Sequence, residues 1–223
     1  MTEKNFFIGH DIQRTSSKIL ETLKNYGACI VSDAMKGFNS MSSRIHTIVP
    51  GQVICGPAVT VRLRPGDNLL LHRAIEMAHP GDIIVVDTGL NCRHAVIGSI
   101  MTTAAFSKKK IGGLVIDGAV RDVEDLRKNQ YPVFAAGIVP NTGENDGPGM
   151  WNRPISCGDV PVLPGDIIVA DDNGVAVVPI DFISLVLENC KRKIAKEEKR
   201  IKEIENGQIT SQAILDKLTI KGF

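Results

Sequence analysis

Aromatic side chains are scarce, at 4% of 223 residues, which leaves little material for a platform that stacks nucleic-acid bases. An excess of one charge is missing as well. The 26 lysines and arginines nearly balance 25 aspartates and glutamates, for a formal net charge of +1. That argues against a broad electrostatic footprint for nucleic acid and leaves room only for a local patch. The five cysteines, Cys29, Cys55, Cys92, Cys157 and Cys190, are odd in number and scattered, with no CxxC and no zinc-finger spacing. The histidines His10, His46, His72, His79 and His94 form no HExxH and no close pair, so a His-rich metal centre is not expected. Walker and GxGxxG motifs are absent, and Ser99 sits in "GSI" rather than in GxSxG. No apolar run is long enough for a signal peptide or a transmembrane span. A reduced, cytoplasmic protein with no membrane association and no direct contact with nucleic acid is the expectation.

What remains is an ordinary globular composition, 43% hydrophobic and 23% charged, in a chain long enough to bury a sizeable core. Apolar residues at Ile12, Ile19, Leu20 and Leu23 predict a helix from about Ile12 to Tyr26 that ends near Gly27. "SDAM" (32–35) reads as a short capped helix, "GPAVTVRL" (56–63) as a strand, and "DNLLLHRAIEMA" (67–78) as a helix opened by Asp67. Pro-Gly-Asp recurs at 65–67, 80–82 and 164–166, and the last two continue as "PGDIIVVD" and "PGDIIVAD". This is one turn chemistry feeding apolar strands, too little for a domain duplication. "HAVIGSIMTTAAFSKKK" (94–110) reads as a helix, "YPVFAAGIVP" (131–140) as a buried strand, and "NTGENDGPGMWNRP" (141–154) as a loop long enough to be functional. From Ile183, the positions Ile183, Leu187, Cys190, Ile194, Glu197, Ile201 and Ile204 alternate four and three apart, the seam of a long helix packed on a partner. Glu197 is its one charged member. A carboxylate there is costly unless something binds it, or the helix has by then left the body of the protein.

The chemistry concentrates in "IDGAVRDVEDLRK" (116–128), where a short apolar strand hands over to a helix through Arg121-Asp122. One reading is local: Asp122 caps the helix, Asp125 completes a capping-box-like arrangement, and Arg121 is a surface cation. The other is functional. A carboxylate at the end of a strand stands where α/β folds bind ligands. One carboxylate is sufficient for Mg²⁺, which fills its shell with water and substrate oxygens. An adjacent arginine can clamp a substrate carboxylate bidentately. The pair would suit an α-keto acid, with charge developing on the keto oxygen stabilised by cation and metal. Cys92 beside Arg93 is read as an inert thiol rather than an activated one.

"GPAVTV", "RPGDNLLLHRAIEMAHPGDIIVVD", "AVIGSIMTTAA", "GGLVIDGAVRDVEDL", "YPVFAAGIVP" and "PGDIIVADDNGVAVVP" occur in an order that resembles the RraA-like family. That family contains metal-dependent 4-hydroxy-4-methyl-2-oxoglutarate and 4-carboxy-4-hydroxy-2-oxoadipate aldolases and the RraA regulators of ribonuclease E. The resemblance implies an α/β fold, a compact α-β-β-α sandwich of the swivelling β/β/α-like type with a long C-terminal helix. Residues 1–223 would form one domain, with 181–223 a helical extension, assembled as a homotrimer or homohexamer with sites between subunits. It also implies that Arg121 binds substrate, that Asp122 holds Mg²⁺ or Mn²⁺, and that Asp125 fills the acidic position closing the motif. Gly98, Ser99, Ile100 and Met101 correspond to the loop whose amides hold the substrate carboxylate, which suits a helix start. Glu197 falls where aldolases supply a carboxylate from the neighbouring subunit. Ser99 departs from the pattern, because the aldolases carry an acid there to position a catalytic water, and a serine cannot act as a carboxylate base. The expected function is a divalent-metal-dependent lyase that cleaves a short 4-hydroxy-2-oxo acid to release pyruvate, with oxaloacetate decarboxylation as a side activity. The alternatives are a non-enzymatic regulator of an RNA-degrading enzyme and a related keto-acid enzyme with chemistry altered at Ser99.

Overall fold

The three Pro-Gly-Asp turns share one backbone geometry. In the computed structural model, which describes residues 6–223, Gly66, Gly81 and Gly165 have φ of 81°, 86° and 91°. That is the left-handed value required at the third position of a type II turn, and the preceding proline pre-sets the second. Each aspartate N–H closes its turn onto the carbonyl of Arg64, His79 or Leu163. The buried carboxylates of Asp82 and Asp166 also accept the N–H of His79 and of Leu163, both at 2.8 Å. Burial pushes the Asp166 carboxyl above the usual carboxylate range. Asp82 has a cation instead: Arg14 donates to its two oxygens at 2.9 and 2.8 Å. Arg14→Ala would leave a buried carboxylate short of its partner, and a urea melt is expected to show a loss of about 2 kcal/mol.

Strands β4 (Ile83–Asp87) and β11 (Ile167–Asp171) follow two of these turns. Both are covered on two faces, which is why they read as unbroken apolar runs. The parallel centre of the sheet is β3 (Ile54–Leu63), β4, β6 (Gly113–Val120) and β7 (Val133–Ile138), in that order. The first part of β3 instead pairs antiparallel with β11, which pairs in turn with β12 (Gly174–Val178). Strand β3 therefore ties two layers together. At the edges, β1 (Phe6–Ile8) lies on β8 (Gly149–Trp151), and β2 (His46–Thr47) lies on β7. Strands β9 (Ile155–Cys157) and β10 (Val160–Val162) make a separate hairpin. Strand β5 (Ala95–Ile97) joins β6 beyond the end of β4.

Side-chain alternation divides the core into three clusters. Ile84, Val86, Leu114 and Ile116 face α2 (Leu69–Met77) and α4 (Val123–Lys128), meeting Leu71, Ala74 and Leu126. Ile83, Val85, Val115 and Phe134 face the other way, onto Ile168, Ala170, Val175 and Val177. The outer residues of that second layer, Ile167, Val169, Ala176 and Val178, receive Leu23 and Val31 of α1 (Ser17–Ala34). Ile183, Val186 and Cys190 of α5 (Ile183–Glu205) join them there. Helix, sheet, sheet, helix is the α-β-β-α sandwich expected, with its long C-terminal helix.

Local expectations differ in instructive places. Helix α1 begins at Ser17 rather than Ile12, which is buried as part of an irregular lead-in. Gly27, at φ 73° and ψ 170°, breaks the helix where the sequence predicted its end; a second helical stretch follows to Ala34, and "SDAM" is the end of that stretch rather than a helix of its own. The Asp171 carboxylate accepts the Ala28 N–H at 2.9 Å where the helix resumes. Residues 94–110 are not one helix. They divide into β5, a short α3 (Ser99–Thr103) and a π turn at Ala104–Lys108, because β6 extends past β4 and recruits β5 as a parallel neighbour. Part of the long 141–154 loop is strand β8. The apolar seam of α5 packs only as far as Cys190; Ile201 and Ile204 are exposed. Helix α6 (Gln212–Ile220) follows and buries no residue.

Candidate functional site

Two bulges aim the candidate site. Strand β6 carries one more residue than β7 between the pairs Ile116–Ala135 and Ala119–Gly137. Its pairing with β5 also slips between Ala95 and Ile97. Bulges bend strands and redirect the residues beyond them. Beyond these lie Arg121-Asp122 on one strand and Gly98 on the other, tied by the Arg121 N–H donating to the Ile97 carbonyl at 3.1 Å. The site therefore opens at the carboxyl ends of parallel strands, where α/β folds hold ligands.

Asp122 stands at the N-cap position of α4, in left-handed conformation with φ 59° and ψ 40°. Aspartate tolerates that region better than most residues. Its carboxylate does not cap α4, and Asp125 completes no capping box. Instead Oδ2 accepts the backbone N–H of Ser99 at 2.8 Å, joining the start of α4 to the start of α3. This overturns the capping reading of Asp122. Arg121 Nε lies 3.8 Å from the same oxygen, and both side chains are over one third exposed, at 38% and 37%. The first intrahelical bond of α3 runs from Thr102 N–H to the Gly98 carbonyl. The amides of Ile100 and Met101 therefore precede any helical acceptor and stay free for a ligand. Gly98 is required by space rather than by torsion: a Cβ there would lie 2.4 Å from Asp122 Oδ2 and 3.0 Å from Arg121 Cγ.

A cavity of about 200 Å³ gathers Gly98, Ile100, Met101, Arg121 and Asp122. That is below the size of drug-sized sites and suits a short metabolite. Ser99 contributes its backbone, through the bond to Asp122. Asp125 lies in a separate groove on the far side of the Arg121-Asp122 pair. Ala95 and Ile97 of β5 complete its wall, and three further polar residues line it that the sequence did not single out: Asn68 and His72, from the start of α2, and Thr142. The fully buried Asp67 holds these elements together. Its carboxylate accepts the N–H groups of Leu69, Asp146 and Gly147 at 2.9, 2.7 and 2.9 Å. Asp67→Ala would strand those donors, and a loss of about 3 kcal/mol in a denaturant melt is expected.

Glu197 is elsewhere in the chain. It is exposed on α5, in the opposite outer layer, and pairs with Lys193 at 3.1 Å. Lys193 also holds Asp33 at 2.7 Å, and the two carboxylates raise its ammonium above the usual range. Cys92 is no activated thiol: burial first, then the Asp117 carboxylate, push it up. Among the described residues, no three His, Cys, Asp or Glu side chains form a cluster able to hold a metal ion. Asp122 Oδ2 has its N–H donor, while Oδ1 has no protein partner among the described residues. That donor set fits only an ion that takes one carboxylate and completes its shell with water and substrate oxygens. No helix among the described residues is long and apolar enough to cross a membrane.

The layers and the cavity define the class: a mixed α/β sandwich with a small cavity at the carboxyl ends of its parallel strands. The chain belongs to the RraA-like family, whose model, described as Aldolase/RraA, matches residues 28–177. It is 37% identical over 188 residues to a Halalkalibacterium halodurans protein provisionally named a 4-hydroxy-4-methyl-2-oxoglutarate aldolase, covering 84% of this chain and 89% of that one. Among solved structures, an uncharacterized protein from Pseudomonas syringae pv. tomato superposes with a TM-score of 0.74 at 26% identity, covering 89% of this chain and 96% of that one. The RNA-processing inhibitor RraA of Thermus thermophilus superposes with a TM-score of 0.62 at 28% identity, covering 67% and 90%.

Proposed function

We propose that the protein is a divalent-metal-dependent lyase that cleaves a short 4-hydroxy-2-oxo acid and releases pyruvate, with oxaloacetate decarboxylation as a side activity. The observation that carries this reading is the convergence of a partly exposed guanidinium, a partly exposed carboxylate 3.8 Å from it and unpaired helix-start amides on one small cavity. The aldolase name of the Halalkalibacterium relative supports it.

Arg121 binds the oxo-acid end through its planar fork. The amides of Ile100 and Met101 take the remaining carboxylate oxygen. Asp122, with one oxygen fixed by the Ser99 N–H, would hold Mg²⁺ or Mn²⁺. When bound, that ion supplies Lewis-acid stabilisation of the charge on the keto oxygen. Cleavage removes the proton of the 4-hydroxyl and breaks the C3–C4 bond. The electron pair passes into the C2 carbonyl as an enolate, and C3 is then protonated to give the pyruvate methyl group. Arg121 stabilises the enolate charge.

Glu197 assists proton transfer from a neighbouring copy of the chain in a homotrimer or homohexamer, since a single chain holds it in the opposite layer. Glu197→Gln and Asp122→Asn should each be nearly inactive alone, and mixed oligomers of the two should regain part of the activity. Mixtures as inactive as their parents would contradict the shared site.

The test of the function is pyruvate release from oxaloacetate and from 4-hydroxy-4-methyl-2-oxoglutarate, with Mg²⁺ and again with EDTA. The expected result is turnover that EDTA abolishes and Mg²⁺ restores. A folded protein with no turnover would favour the regulator reading that the Thermus neighbour suggests.

A further inference from the structure

The end of α1 steers the far half of α5. The last buried residue of α5 is Cys190. Around it, two side chains of α5 reach the final residues of α1: Asn189 Nδ2 donates to the Ala34 carbonyl at 3.1 Å, and Lys193 Nζ holds the Asp33 carboxylate at 2.7 Å. Among the described residues, no hydrogen bond or ion pair joins α5 to α1 beyond Lys193. The same ammonium lies 3.1 Å from Glu197, one turn further along the same face of the helix. A lysine can serve both acids, because its ammonium carries three donors on a flexible stem. Asp33, Lys193 and Glu197 thus form one chain of contacts, running from the packed layer outward to a carboxylate in solvent.

We propose that Lys193, anchored by Asp33, is a positioning residue that holds the Glu197 carboxylate in the orientation used at a neighbouring copy's site. The inference rests on the functional reading above, in which Glu197 serves that site, and adds how the chain aims it. Ion pairs between partly exposed groups contribute little to folding. The value of this one lies in removing rotamers from a long side chain before it reacts. Small displacements of a reacting group are costly in rate.

Steady-state kinetics of pyruvate release test it. Lys193→Gln is expected to lower kcat about tenfold and to leave KM within about twofold, because Arg121 and the helix-start amides of the other copy hold the substrate. Lys193→Arg should recover most of the loss. Asp33→Asn should lower kcat as well, and the double variant should be no slower than Lys193→Gln, since both act through one chain of contacts. Co-expression assigns the effect to the correct chain. Mixed oligomers of Lys193→Gln with Asp122→Asn should be faster per chain than either parent, whereas mixtures with Glu197→Gln should be slower than Lys193→Gln alone. An unchanged kcat, the opposite complementation pattern, or a loss that follows a lowered melting temperature and is not recovered by Lys193→Arg would overturn the positioning role alone. Failure of Asp122→Asn and Glu197→Gln to complement each other would overturn the shared site and this inference with it.

Discussion

Replacing Arg121 by lysine or Asp122 by asparagine is expected to lower kcat/KM for pyruvate release by about a hundredfold or more, the scale of losing one preorganised stabiliser of developing charge. Thermal stability should hardly change. Both substitutions are chosen to remove chemistry and keep shape. Asparagine tolerates the left-handed backbone at φ 59°, and its amide oxygen can still accept the Ser99 N–H. What it loses is the charge that would hold a metal. Lysine keeps the charge of Arg121 and loses the planar fork, so a loss there reports bidentate binding rather than simple attraction. The Arg121–Asp122 approach of 3.8 Å between partly exposed groups adds little to folding. Rates near wild type in either variant would remove the pair from the reaction.

Gly98→Ala should be nearly as damaging, for a steric reason. The new methyl carbon would sit 2.4 Å from Asp122 Oδ2 and 3.0 Å from Arg121 Cγ and Nε. Both side chains must swing away, and the 2.8 Å bond from Ser99 N–H to Asp122 is the first thing lost. The backbone at Gly98 has φ −143°, which alanine adopts freely, so strain is not the cause. A fall of about a hundredfold in kcat/KM is expected, the penalty of a reacting geometry displaced by an ångström. It should come with about 1–2 kcal/mol of destabilisation from overpacking. Kinetics and a urea melt on the same preparation separate the two effects. Full activity would show that the close contact between the two helix starts is dispensable.

Much of this site was legible before the fold was known, for physical reasons. The apolar runs after Pro-Gly-Asp had to be strands buried on two faces. A charged pair at the end of such a run had to stand at the rim of a sheet. The role of the Asp122 carboxylate was not legible, because a helix cap and a bridge to another helix need the same residue at the same place. Its acceptance of the Ser99 N–H decides between them, and that contact spans 23 positions of sequence. Asn68, His72 and Thr142 were hidden for a similar reason: they reach the cavity through turns fixed by the buried Asp67, and nothing in the local sequence marks them as lining it. The division of residues 94–110 depends on β6 outrunning β4, which no local pattern records. On α5 the heptad spacing continues past Cys190, while packing within the chain does not. Spacing marks a face and leaves its partner unnamed.

The most direct measurement is the initial rate of pyruvate release from 4-hydroxy-4-methyl-2-oxoglutarate by the purified wild-type protein and by Asp122→Asn. Each is assayed with Mg²⁺, after EDTA, and after Mg²⁺ is restored. The account predicts turnover by the wild type that disappears with EDTA and returns with Mg²⁺, and almost none by the variant under any of the three conditions. Turnover indifferent to EDTA, or a variant as active as the wild type, would contradict it.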